Sequence, residues 1–199
     1  IVSIATDPTA ATLQAGHTGL ALWMDPETGR WNTSSYYQTA LPSWAGKTAD
    51  DYLANRWEPL GIPALYHAIS TSKTKTFAYD LAQFCYGKNK YKQFATTPYA
   101  NSMVADLAMQ AIQNYGIGKD IWPDMLLLQF SLQPLYTQTS APMSIELEDA
   151  YLRLDKELGA FLDFLDKHFG KDQVLVYLTG TRQTAYKQPN NPRIPSKSF

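Results

Sequence analysis

Cysteine is all but absent from this 199-residue chain. The only one, Cys85, has no partner within the chain, so no internal disulfide can brace the fold and cysteine usage does not fix the compartment. It stands between Phe84 and Tyr86, a setting that suits a buried, inert thiol better than a nucleophile. A surplus of either charge is lacking too. With 17 Lys and Arg against 18 Asp and Glu, the formal net charge is -1 and charged residues make up 18% of the chain. That balance removes the electrostatic case for nucleic acid or an anionic membrane surface as a partner. No apolar run approaches the length of a membrane span, and no repeat or low-complexity segment is present. Histidine is scarce, and His17, His67 and His168 lack the spacing of metal ligands. The chain opens on Ile1 rather than Met. That is expected of a processed product or an excised segment, from which any targeting peptide would already be gone.

The most telling absence follows two expected strands. Residue patterning predicts a strand over 125–130, a long helix, and a second strand over 174–178, joined as a right-handed parallel crossover. Chemistry in open α/β sheets sits at the carboxyl ends of strands. The two exits here, residues 131–143 and 179–199, contain no Asp, Glu, His or Cys. The chain therefore reads as an enzyme scaffold without reactive groups.

Aromatic residues are what it has in plenty: 13 Tyr, 5 Trp and 8 Phe, which serve either core packing or a ligand-facing surface. The length fits a single domain able to bury a sizeable core, with a hairpin and cap-like part over 1–96 and a regular α/β part over 97–199. The early region reads as strands and turns. Runs over 20–24 and 31–38 flank Asp25-Pro26-Glu27-Thr28-Gly29, in which Pro presets φ and Gly accepts a positive value, so a β-hairpin is expected. Thr48 and Asp51 would cap a short helix running to Trp57. Residues 63–97 read as a surface excursion, with a polar cluster at 70–75 and lysines at 88–92. Asn101 or Ser102 would cap a helix closed by Gly116. The last helix, from Ser144 to about Phe169, carries an apolar stripe of Leu147, Tyr151, Leu154, Leu158, Phe161, Leu162, Leu165 and Phe169. Glu146, Glu148 and Asp149 suit its positive end, and Lys167 and His168 its negative end.

Several of these segments also resemble a known family. Ala15-Gly16-His17-Thr18, Trp23-Met24-Asp25 with Thr28-Gly29, Thr33-Ser34-Ser35-Tyr36-Tyr37, and Leu41-Pro42 with Trp44 are similar to ordered segments of the alkaline phosphatase superfamily. So are Thr97-Pro98-Tyr99 with Asn101-Ser102, Ser144-Ile145-Glu146-Leu147-Glu148-Asp149 with Tyr151, and Val176-Tyr177-Leu178-Thr179. The branch is that of exported bacterial phosphate monoesterases and type I phosphodiesterases, and the resemblance covers almost the whole chain. It implies an α/β fold: a three-layer α/β/α sandwich with a parallel sheet, plus an N-terminal excursion containing the β-hairpin. In active members it implies two zinc ions and a Thr or Ser nucleophile, with location in the periplasm or cell envelope.

The resemblance also marks departures. Where members carry an Asp and, four positions on, a His, this chain has Pro134 and Gln138. Where they carry Asp-His after the second strand, it has Thr181 and Arg182. An active-site Lys and Arg of the monoesterases match Asp7 and Thr9. The nucleophile segment would precede Ile1 and a final His would follow Phe199. Proline and threonine cannot replace carboxylate ligands of zinc, so the expectation is a degenerate member, or a central segment of one, without metal or other cofactor. Thr181, Arg182, Gln138 and Tyr136 are the candidate anion- or ligand-binding residues. The Arg182 guanidinium could hold an anion by paired hydrogen bonds, or simply fill the vacated metal space. His17 reads as a structural histidine bonding nearby backbone, and Asp163 and Asp166 as solubilising charges. Trp23, Trp31, Tyr36 and Tyr37 read as packing, with a stacking platform as the alternative. The partners that remain are a protein, another copy of the chain, or a small anion. An active phosphate- or sulfate-ester hydrolase with its ligands elsewhere is the rival reading.

Overall fold

The computed structural model describes residues 1–37, 41–62, 66, 77–132 and 144–180. The chain enters directly as a strand, β1 (Val2–Ala5), turns into a helix, α1 (Pro8–Ala15), and returns as β2 (Leu20–Met24). This opening unit differs from the expected run of strands and turns. Asp7 caps α1 by accepting from the backbone N–H of Ala10 at 2.8 Å, Pro8 occupies the first turn, and Gly16 ends it at φ 61°. The boundary signals were present in the sequence, but α1 buries only Ala11 and Ala15, so no large apolar stripe announced it.

The expected hairpin forms between β2 and β3 (Trp31–Asn32), pairing Met24 with Trp31 and Trp23 with Asn32. The second strand is shorter than the sequence suggested. At Thr33 the hydroxyl donates to the carbonyl of Ala21 at 2.7 Å, and the chain turns away over 35–37. β1 pairs in parallel with β2 on one side and with β6 (Leu126–Leu128) on the other, giving the order β3-β2-β1-β6. The sheet thus joins three strands from the start of the chain with one from its second half.

Alternation along the strands sends Val2, Ile4, Leu22 and Met24 to one face, and Ala5 and Ala21 to the other. The first face packs on α4 (Tyr99–Tyr115) and α5 (Ile145–Phe169) through Met103, Val104, Leu107, Ala108, Phe161 and Leu165; the second is covered by the alanines of α1. Helix, sheet and helix make the three layers of an α/β fold.

Three expectations need correction. The helix expected to reach Trp57 is a 3₁₀ turn, Ala49–Tyr52, and Arg56–Trp57 is instead a strand, β4, paired antiparallel with β5 (Tyr79–Asp80). The capping signal was sound, since Asp51 accepts from the Thr48 backbone N–H at 2.6 Å, but a cap specifies a start and not a length. Residues 77–97 are more than an excursion: α2 (Leu81–Phe84) and α3 (Lys90–Phe94) carry Leu81 and Phe94 into the core, both fully buried. Finally, residues 174–178 form no strand ladder and lie open to solvent. A parallel strand exists only beside a neighbour, and no described strand offers one.

α4 ends as expected at Gly116, with φ 68°. Asn101 lies inside α4 and does not cap it; its side chain is used elsewhere. α5 begins at Ser144, whose hydroxyl accepts from the Leu147 N–H at 3.2 Å. Its buried line runs through Ile145, Asp149, Phe161 and Leu165, while Tyr151 and Leu162 of the expected stripe are exposed.

Candidate functional site

The carboxyl edge of the parallel strands is where a site belongs in this architecture. At the end of β1 the first ionisable residue is Asp7, and its carboxylate is committed to capping α1. At the end of β6, the Gln129 N–H donates to the carbonyl of Ile4 at 3.0 Å, and Asn101 of α4 clamps Ser131 reciprocally. The Asn101 amide donates to the Ser131 carbonyl, and the Ser131 N–H donates to Asn101 Oδ1, both at 2.9 Å. Asn101 is buried, so this pair fixes the direction in which the chain leaves the strand. Beside it, Gln129 Oε1 is a buried oxygen without a hydrogen-bond partner among the described residues. Pro134, Tyr136, Gln138, Thr181 and Arg182 lie outside the described residues, as does His67.

Away from that edge, the acids that sequence inspection passed over have structural employment. Asp149 is fully buried in α5. Its two oxygens accept from Trp57 Nε1, the Leu60 N–H, the Tyr66 hydroxyl and Arg153 Nε, each at 2.7 Å. A carboxylate with four donors is satisfied; it holds the β4 region against α5. Sequence alone placed Asp149 as a helix-end charge. The signal that could have found it is the i,i+4 pairing of Asp149 with Arg153. Asp106 is similarly engaged, accepting from Tyr52 at 2.6 Å and Lys47 at 2.7 Å; burial and this neighbouring acid push the Tyr52 hydroxyl well above its usual range. Asp50 accepts from Lys90 at 2.6 Å, and that bond holds its carboxyl below the usual range.

Cys85 is buried, and burial pushes its thiol up to about 11. A thiol so protonated is neither nucleophile nor ligand at neutral pH. The four hairpin aromatics are divided between the faces of the sheet. Trp31 is in the main core, Trp23 and Tyr37 pack beside α1, and Tyr36 is exposed, edge-on to Tyr37. They form no common platform. His17 is tied to the same turn, its backbone carbonyl accepting from the Tyr36 hydroxyl at 3.3 Å. Asp163 and Asp166 are exposed on α5. Among the described residues, no three His, Cys, Asp or Glu side chains converge as a metal site would require. Nor, among them, is any helix long and apolar enough to cross a membrane.

No protein-family model matches the chain. It is 32% identical over 206 aligned residues to alkaline phosphatase PafA of Elizabethkingia meningoseptica, and equally to a protein of Myroides odoratus named as a calcium-transporting ATPase. Each alignment takes in 94% of this chain and 37% of the relative. Alkaline phosphatase PhoV of Synechococcus elongatus is 32% identical across 90% of this chain and 35% of its own length. The crystal structure of wild-type PafA superposes with a TM-score of 0.71, covering 85% of this chain and 36% of that one. This chain thus spans little more than a third of the length of the proteins it is similar to.

Proposed function

The chain belongs to the alkaline phosphatase superfamily, and from that premise we propose that it is a non-catalytic module of that fold, serving in binding or assembly. The observation that carries this reading is at the end of β1. The position matching an active-site Lys in the monoesterases holds Asp7, and in this structure its carboxylate faces the first backbone N–H groups of α1. A fixed negative charge there opposes a phosphate dianion where a lysine would attract it. The sequence adds four replacements at expected ligand positions, Pro134, Gln138, Thr181 and Arg182, none of them a ligand for zinc. The buried acid Asp149 and the half-buried Asp106 have their donors already. Zinc, as used by active relatives, is accordingly not part of this reading, and a small anion near Arg182 and Thr181 would be a ligand rather than a substrate. Location in the periplasm or cell envelope goes with the exported branch of the family.

The limited span, 37% of PafA, favours one rival: a segment of an active phosphoric ester hydrolase whose nucleophile and metal ligands lie on other polypeptide. The experiment that separates the two is elemental analysis of protein purified without chelator, beside assays of a phosphomonoester and a phosphodiester with added zinc. The expected outcome is no bound zinc and no turnover above a blank. Near-stoichiometric zinc with turnover would overturn the non-catalytic reading.

A further inference from the structure

A cavity of about 440 Å³ opens beside the middle of α4. Its apolar walls include Trp31 at the start of β3, Trp44 of the 3₁₀ turn Ser43–Ala45, Leu107 of α4 and Phe164 of α5. Trp31 and Leu107 belong to the buried core, and the Trp44 ring is held edge-on by Tyr115, 5.0 Å between centroids. Small-molecule sites have this size and this mainly apolar lining, with a few polar groups that set orientation. The walls all come from this chain, and Trp31 lies on the outer strand of the order β3-β2-β1-β6. A strand added beside β6, where residues 174–178 were expected, would lengthen the sheet at its opposite end.

The polar side of the cavity includes Asp106, Lys47 and Gln110. Asp106 accepts from the Tyr52 hydroxyl at 2.6 Å and from Lys47 Nζ at 2.7 Å, and both bonds fall on Oδ2. A carboxylate has room for about four donors, and the Asp106 side chain is 30% exposed, so Oδ1 can accept from a ligand. Lys47 already balances the charge. A cation brought to Oδ1 would meet the Lys47 ammonium, and an anion would meet the carboxylate; a neutral donor meets neither penalty. Indole and phenyl walls favour a planar aromatic body, whose ring packs edge-on or offset against them.

We infer that this cavity binds a small, neutral, planar aromatic molecule, of the class represented by indole, whose single donor bonds to Asp106 Oδ1. The inference goes beyond the non-catalytic reading. None of the residues lining the cavity is Asp7 or a replaced ligand position, so the site stands whether or not the chain turns over a phosphate ester.

The test is calorimetric titration of the 199-residue protein with indole, N-methylindole and tryptamine. Indole is expected to bind at one site with a Kd below about 1 mM. N-methylindole keeps the ring and lacks the donor, and should bind at least about tenfold more weakly. Tryptamine adds an ammonium to the same ring and should bind wild type no better than indole does. In Lys47→Met, at a side chain 64% exposed, Asp106 loses its counter-charge, and tryptamine should overtake indole by about tenfold. Gln110→Trp, at an exposed position on the cavity wall, should block indole, whereas Leu13→Trp, exposed on α1 across the sheet, should not. Thermal midpoints like the wild type's show that the variants are folded. No heat of binding up to about 10 mM indole overturns the inference. So do equal affinities for indole and N-methylindole, an unchanged affinity in Gln110→Trp, or a Lys47→Met that still prefers indole. Because the readout is binding heat, its failure leaves the zinc and turnover assays to decide the non-catalytic reading separately.

Discussion

Two residues show how differently burial treats an ionisable group. Asp149 is buried as a charge because Trp57, Leu60, Tyr66 and Arg153 surround it with donors. Removing the acceptor strands all four at once, Arg153 among them. Asp149→Ala is expected to destabilise the protein by about 3–5 kcal/mol, the usual penalty for breaking a buried pair from one side. Asp163→Asn, on the exposed face of the same helix, should stay within about 0.5 kcal/mol of wild type; urea unfolding midpoints compare them. Cys85 is buried without a partner for its charge, so its thiol is raised from the usual 9.0 to about 11. An unfolded chain releases that proton near pH 9 while the folded protein retains it. The thiol's contribution is therefore fully present below pH 9 and is lost as pH rises from 9 towards 11. Wild type should lose more stability across that window than Cys85→Ala, measured by urea unfolding at each pH.

Among the elements, the hairpin was legible because its turn chemistry is local. Asp25 and Gly29 lie within one turn, Asp25 accepting from the Glu27 N–H at 2.8 Å and the Thr28 hydroxyl at 2.9 Å. What the sequence could not say is that this turn is seated against α3. Gly29 has φ 65°, and a Cβ there would overlap the ring of Tyr91. Gly29→Ala should therefore cost more than the roughly 1 kcal/mol expected of a left-handed position alone, read as a lowered thermal midpoint, and Tyr91→Ala in the same chain should recover part of the loss. α5 was legible at both ends through Ser144 and Gly170. Its buried face was misjudged because Asp149, which belongs to the core, looks polar, and Tyr151 and Leu162, which face solvent, look apolar. Helix α1 escaped notice for the converse reason: alanines fit under a short helix without leaving a periodic stripe of large residues.

For the whole molecule, the same division separates the site from the scaffold. The resemblance to the superfamily, the α/β fold it implies and the absence of zinc-ligand residue types at 134, 138, 181 and 182 were all visible as residue identity and order along the chain. The structure takes the candidate site only as far as the clamp between Asn101 and Ser131 and the buried oxygen of Gln129, short of those four positions. It shows instead that Asp7 at the end of β1, and Asp149 and Asp106 away from that edge, are spent on holding the fold. By itself the sequence determined which side chains are available, where local caps and turns fall, and which chemistry the chain lacks, because those depend on residue type and neighbours a few positions away. Tertiary structure alone decided that Asp149 is a buried anchor, that residues 77–97 reach the core, and that 174–178 pairs with no strand among the described residues. Each of those depends on groups tens of residues apart meeting or failing to meet, and burial and strand pairing exist only once they do.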